Sequence, residues 1–102
     1  MKKKFGIIGN PIKHSLSPVL HNHWFKKYDI DAAYTIIEAT DKELPDVVKK
    51  IRKEEYMGIN VTLPFKQKII NYIDEVINDA ELTGSVNTVF LNSDKKVVGE
   101  NT

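Results

Sequence analysis

The feature that most constrains this chain is a repeated change of hydrophobic period. Short apolar or β-branched runs at Phe5-Gly6-Ile7-Ile8, at Ala33-Tyr34-Thr35-Ile36-Ile37 and from Met57 to Thr62 are separated by stretches whose apolar residues recur every three or four positions. The runs suit strands and the spaced stripes suit helix faces. Strands that alternate with helices pair in parallel through the helical crossovers, so the pattern predicts an α/β domain.

The individual signals can be placed along the chain. Gly9-Asn10-Pro11 closes the first strand as a turn. Ser17-Pro18 offers an N-cap followed by proline at the first helical position, and Leu20, Trp24 and Tyr28 recur every four residues as the buried stripe of a helix over about 18–28. Leu44, Val47, Val48 and Ile51 fit an amphipathic helix. Two starts compete for it: Thr40 and Glu43 have capping-box spacing, whereas Pro45 argues for a boundary near the first turn. A helix over 66–72 follows the third strand, and Asp74 caps another that ends before Gly84. Val86 to Leu91 and Lys96 to Gly99 flank Asn92-Ser93-Asp94 as a hairpin. The expected fold is a three-layer α/β/α domain with a mostly parallel sheet and one antiparallel strand near the C-terminus.

Composition narrows what such a domain does. At 102 residues and 41% hydrophobic content the chain supports one core, not two. Fifteen Lys+Arg against fourteen Asp+Glu, with no basic cluster beyond Met1-Lys2-Lys3-Lys4, argue against a nucleic-acid partner. The absence of cysteine excludes disulfides and thiolate metal sites and fits a reducing, cytoplasmic setting. No apolar stretch approaches the roughly twenty residues that span a bilayer, so no membrane partner is expected, and Phe5 to Ile8 is too short for a signal-peptide core.

The chemistry concentrates in two runs, Asn60-Val61-Thr62-Leu63-Pro64-Phe65-Lys66 and Gly84-Ser85-Val86-Asn87-Thr88. Asn60 and Thr62 lie two apart, so on a strand they share one face while Val61 takes the other. Pro64 stops the strand and can open a helix, which places Lys66 near a helix N-terminus, where backbone N–H groups favour anions. In a parallel sheet ligands bind beyond the carboxyl ends of the strands. Asn10 to Ser17 and Asn60 to Lys66 both fall there, and Asn87 joins them if its strand runs antiparallel.

Plainer roles compete for each residue. Ser15 and Ser17 serve equally as turn and cap residues, Lys66 as a solvated surface lysine, and Asn60 and Thr62 as partners for loop backbone. Trp24 and Tyr28 read most simply as core. His21 and His23 point in different directions on a helix, and no cysteine or carboxylate completes a ligand set, so no metal is expected. His14 beside Ser15 does not make a nucleophile–base pair by adjacency alone.

Gly9-Asn10-Pro11-Ile12-Lys13-His14-Ser15-Leu16-Ser17-Pro18 with His21-Asn22, Gly58 to Lys66, Gly84 to Thr88, and Gly99-Glu100-Asn101-Thr102 together resemble the substrate-binding domain of shikimate dehydrogenase. The four motifs occur in the family's order and span nearly the whole chain. Members reduce 3-dehydroshikimate to shikimate with NADPH in aromatic amino-acid biosynthesis. The resemblance implies that Ser15 and Ser17 hold the substrate carboxylate, that Asn60, Thr62 and Asn87 bind ring hydroxyls, and that Lys66 is the catalytic acid/base. It adds Thr102 as a substrate contact and Asn78 on the cofactor side.

Two departures from the family accompany the resemblance. The aspartate that follows the residue matching Thr102 is missing, and the chain has no Gly-x-Gly pair to cradle a pyrophosphate. Residues 1–102 are therefore expected to be the substrate-binding domain alone, without the NADP-binding Rossmann domain. Such a piece would be inactive by itself and prone to self-association through the surface a second domain would cover. The alternatives are a quinate/shikimate dehydrogenase domain and a shikimate-binding module without turnover.

Overall fold

The computed structural model describes residues 3–10 and 17–101. Six strands, β1 (Lys3–Gly9), β2 (Ala32–Glu38), β3 (Gly58–Val61), β4 (Glu75–Asn78), β5 (Thr88–Leu91) and β6 (Val97–Asn101), form one sheet in the order β2-β1-β3-β5-β6-β4. β1 pairs in parallel with β2 and β3, and β4 with β6, whereas β5 is antiparallel to both of its neighbours. That strand is the antiparallel element expected near the C-terminus. Among the described residues four α-helices, α1 (Ser17–Lys27), α2 (Leu44–Arg52), α3 (Phe65–Lys68) and α4 (Asp79–Thr83), flank the sheet. Among the described residues no helix is long and apolar enough to cross a membrane.

Strand alternation sorts the two faces. Tyr34, Phe5, Gly58, Phe90 and Val98 are successive register partners and form one row, and Ile36, Ile7, Asn60, Thr88 and Glu100 form the next row on the same face. α1 packs there through Phe25, whose ring lies 5.7 Å from Phe5, and His21, whose ring stacks on Tyr34. The opposite face presents Ile8, Ile59, Val61, Val89 and Val97 to Leu44, Val47, Val48 and Ile51 of α2, forming the main core with Phe65, Ile69, Ala80 and Val86. Gly99 lies on this second face because a Cβ there would meet Ile73 Cδ1 at 2.5 Å and Val86 Cγ2 at 2.9 Å.

Both expected starts of the second helix exist. The Thr40 amide donates to Glu43 Oε1 at 2.9 Å, capping a 3₁₀ turn over Asp41–Glu43, and α2 follows with Pro45 in its first turn. The 92–94 hairpin turn also forms. Asn92 Oδ1 accepts from the Asp94 and Lys96 amides, both at 3.0 Å, and Lys95 takes positive φ.

Three expectations are corrected. Leu20, Trp24 and Tyr28 are exposed, at 57%, 48% and 61%, so they are not the buried stripe of α1 and neither aromatic is core. Trp24 and Tyr28 stack on each other at 5.7 Å, with the Lys27 ammonium 5.2 Å from the Trp24 ring centre. The helix expected after Asp74 is instead strand β4 followed by the single turn α4, which ends at Gly84 with φ +66°. The helix over 66–72 is the short α3 continued by a 3₁₀ turn over Ile69–Tyr72.

Candidate functional site

The topology gathers one edge of the sheet. The carboxyl ends of β1, β3, β4 and β6 and the amino end of the antiparallel β5 all meet there. Val61 donates its amide to the Asn87 carbonyl at 2.8 Å, so Asn87 sits beside the end of β3. Asn60 faces the α1 side and Val61, only 2% exposed, faces the core, as strand alternation requires. Thr62 continues the strand direction, its amide donating to the Ile8 carbonyl at 3.0 Å and its carbonyl accepting from Phe65 at 3.0 Å.

Asn60 and Asn87 belong to one hydrogen-bonded chain. Tyr34 Oη donates to Asn60 Oδ1 at 2.6 Å, Asn60 Nδ2 to Thr88 Oγ1 at 3.5 Å, and Thr88 Oγ1 to Asn87 Oδ1 at 3.0 Å. Asn87 Nδ2 donates to Asn101 Oδ1 at 3.3 Å, and Asn101 Nδ2 to the Ser85 carbonyl at 3.0 Å. Such chains stiffen their members, because each amide is restrained on both sides.

Lys66 lies on α3, directly after this edge. Its carbonyl accepts from the Val86 amide at 2.8 Å, which ties α3 to the residue preceding Asn87. The Lys66 side chain is half-buried, and among the described residues it forms no ion pair. The anion-binding helix terminus expected around it is not formed, since α3 has four residues and its anchors Phe65 and Ile69 belong to the core.

Asn10 holds the scaffold at this edge, its amide side chain donating to the Ala39 carbonyl and its backbone N–H to the Leu63 carbonyl. Asn78 ends β4 with φ +56° and donates to Glu100 Oε1 at 2.8 Å, one strand away from Asn101. Ser17 opens α1. Ser15 and Thr102 lie outside the described residues.

A cleft of about 330 Å³ adjoins the chain on the α1 side, walled by Phe5, Phe25, Met57 and Phe90 with Tyr34 and Asn60 at its polar margin. Of the expected site residues Asn60 lines it, and Thr62, Lys66 and Asn87 do not. Reading the residues in sequence gave no role in this hydrogen-bonded chain to Tyr34, Thr88 or Asn101, and none to Asn22, which binds the Tyr34 backbone along the open side of β2. The one available signal for Tyr34 is that a buried tyrosine needs a partner for its hydroxyl.

The family model of the shikimate dehydrogenase substrate binding domain matches residues 7–89. The chain belongs to this family. It is 51% identical over its full 102 residues to a shikimate dehydrogenase (NADP(+)) of Pelagibacter ubique, of which it covers 38%. It superposes with a TM-score of 0.88 on shikimate 5-dehydrogenase from Listeria monocytogenes crystallised with shikimate and NAD, 43% identical, over 97% of this chain and 34% of that one. A 5-ketofructose reductase from Gluconobacter sp. superposes at 0.92 with 25% identity, over 100% of this chain and 36% of that one. The chain thus spans little more than a third of the length of these relatives, and the family scaffold also occurs in a reductase named for another substrate.

Proposed function

We propose that residues 1–102 form the substrate-binding domain of an NADP-dependent shikimate dehydrogenase, which reversibly reduces 3-dehydroshikimate to shikimate. The observation that carries this reading is the amide and hydroxyl chain at the carboxyl edge, with Lys66 on the segment that leaves it. Asn60, Thr62 and Asn87 bind ring hydroxyls, groups that both donate and accept and so match amides and a threonine. Ser15 and Ser17 take the carboxylate, using hydroxyls that bind an anion without adding charge. Thr102 completes the substrate side, and Asn78, next to Asn101 across the β4–β6 pairing, faces the cofactor side.

Reducing a ketone adds hydride to carbon and a proton to oxygen. Lys66 gives that proton to the ketone oxygen, or takes it back from the hydroxyl in the reverse direction, and its charge stabilises that oxygen as negative charge develops. NADP supplies the hydride when bound. These residues do not fit the dinucleotide itself: Gly9 leads into Asn10, whose amide is engaged by Ala39, and β3 runs into Leu63-Pro64 with no paired glycines. NADP is held mainly by a second, nucleotide-binding domain. The exposed apolar side chains on α1, Val19, Leu20 and Trp24 among them, favour self-association of the chain, which sedimentation velocity over a range of concentrations reads.

Titrating shikimate into the labelled chain and following amide shifts tests the site. Shifts at Asn60, Thr62, Lys66 and Asn87 are expected. Shifts confined to the α2 side, around Ile59 and Val89, would sink the reading.

A further inference from the structure

The polar chain at the edge has a direction, and its far end sets it. A carbonyl oxygen only accepts, so Asn101 must turn Nδ2 toward Ser85 and leave Oδ1 to receive from Asn87 Nδ2. Asn87 Oδ1 then receives the single proton of Thr88 Oγ1, so the hydroxyl can only accept from Asn60 Nδ2. Asn60 Oδ1 is thereby aimed at Tyr34, whose hydroxyl donates to it at 2.6 Å.

We infer that Tyr34 is a positioning residue: its hydroxyl closes the chain and holds the Asn60 carboxamide so that a ligand meets an N–H donor and not a carbonyl oxygen. Tyr34 is suited to this because its own position is fixed on several sides. It is 3% exposed, and its ring stacks on His21 with centroids 4.1 Å apart and planes at 10°. Its backbone N–H and C=O, at the open edge of β2, are both bound by the Asn22 side chain at 2.8 and 2.9 Å. Without the phenol, the contact Asn60 keeps among the described residues is the 3.5 Å one to Thr88, too long to hold an amide against rotation. A turned amide would set its oxygen lone pairs against the ligand oxygen it should bind. The ligand class selected by Asn60 is therefore one that offers an acceptor oxygen at this point, a hydroxyl or a carbonyl. This rests on the reading of the edge as the shikimate site.

The test uses Tyr34→Phe in the complete protein, which retains the ring stacked on His21. In the ligand-free protein, hydrogen exchange of the Asn60 side-chain amide is expected to rise about tenfold, the scale of one lost hydrogen bond. KM for shikimate is expected to rise about tenfold with kcat held within about twofold, a split that general destabilisation does not produce. Thr88→Val removes only the 3.5 Å contact and leaves the 2.6 Å bond from Tyr34, so alone it should change KM by no more than about twofold, and the double variant should be little worse than Tyr34→Phe. A KM loss from Thr88→Val as large as that from Tyr34→Phe, or a lowered melting temperature with KM unmoved, overturns the inference. An Asn60 amide indifferent to Tyr34→Phe overturns it whatever the ligand. If the amide responds but the unaltered protein neither binds shikimate nor reduces 3-dehydroshikimate, the positioning stands and the proposed substrate falls.

Discussion

Lys66 is the residue on which chemistry and scaffold part company. The scaffold uses its backbone, through the Val86 bond, and leaves its side chain half-buried at the site edge. Lys66→Ala should therefore fold normally. In the complete protein kcat is expected to fall by about 10²- to 10⁴-fold, the range of a lost general acid or base, while KM changes far less because the lysine acts mainly in the transition state. Steady-state kinetics with shikimate and NADP checks this, and equal losses in both constants would assign Lys66 to binding. Its position after the strand end was legible from Pro64, whereas the acid/base role proposed for it came from the family resemblance, since a lone lysine after a strand has many dull explanations. Asn60 and Val61 were legible from alternation alone. Tyr34 was not, because its pairing to Asn60 requires the β1–β2 and β1–β3 registers, which no local pattern encodes.

Elements show where hydropathy misleads. The bounds of α1 are readable from Ser17-Pro18, but the stripe with the most apolar residues is not the one that packs. Pro18, His21, Asn22 and Phe25 have the i, i+3, i+4, i+7 spacing of the inner face, and two of them are polar because they serve Tyr34. At β4 the error has another cause. Asp74 looks like a helix cap, yet its carboxylate takes Arg52 in a two-point pair at 2.6 and 2.9 Å and the Val97 amide at 2.8 Å, fastening α2 and β6 to the start of β4. The Arg52 hydrogen bonds first, and the Val97 bond second, lower the Asp74 pKa from 3.8 to about 2. The folded state thus binds this proton less tightly than the unfolded chain does. The contribution is complete above 3.8 and is lost as pH falls from there through about 2. Urea denaturation of the unaltered chain and Asp74→Asn should show the variant weaker near neutrality and the two converging across that window. A gap that persists unchanged to its acid end would assign the effect to something other than the ionised carboxylate. Both partners are partly exposed, so added salt should narrow the gap as well.

At the scale of the molecule, the alternation of strands and helices was enough to predict the mostly parallel sheet, and with it the carboxyl edge that gathers Asn60 and Asn87. The antiparallel β5 is what brings Asn87 and Thr88 to that edge, and the hairpin after it was visible in Asn92-Ser93-Asp94. The strand order was not visible, because β4 joins the sheet beyond β6 and no local signal says so. Among the described residues the assembled edge brings together amide and hydroxyl side chains, and the sequence has no paired glycines of the kind that cradle a pyrophosphate. From this we predict that the 102-residue chain alone shows no measurable oxidation of NADPH with 3-dehydroshikimate. Holding two reactants in register is worth roughly 7–11 kcal/mol of barrier, and a nicotinamide with no surface to dock on forfeits most of it. Shikimate binding should survive in the same sample, so inactivity with intact binding separates a missing cofactor site from a misfolded chain. The assay runs the chain and the complete protein side by side. Turnover by the chain within about a hundredfold of the complete protein would refute the claim, because a loss that small leaves no room for positioning on this scale.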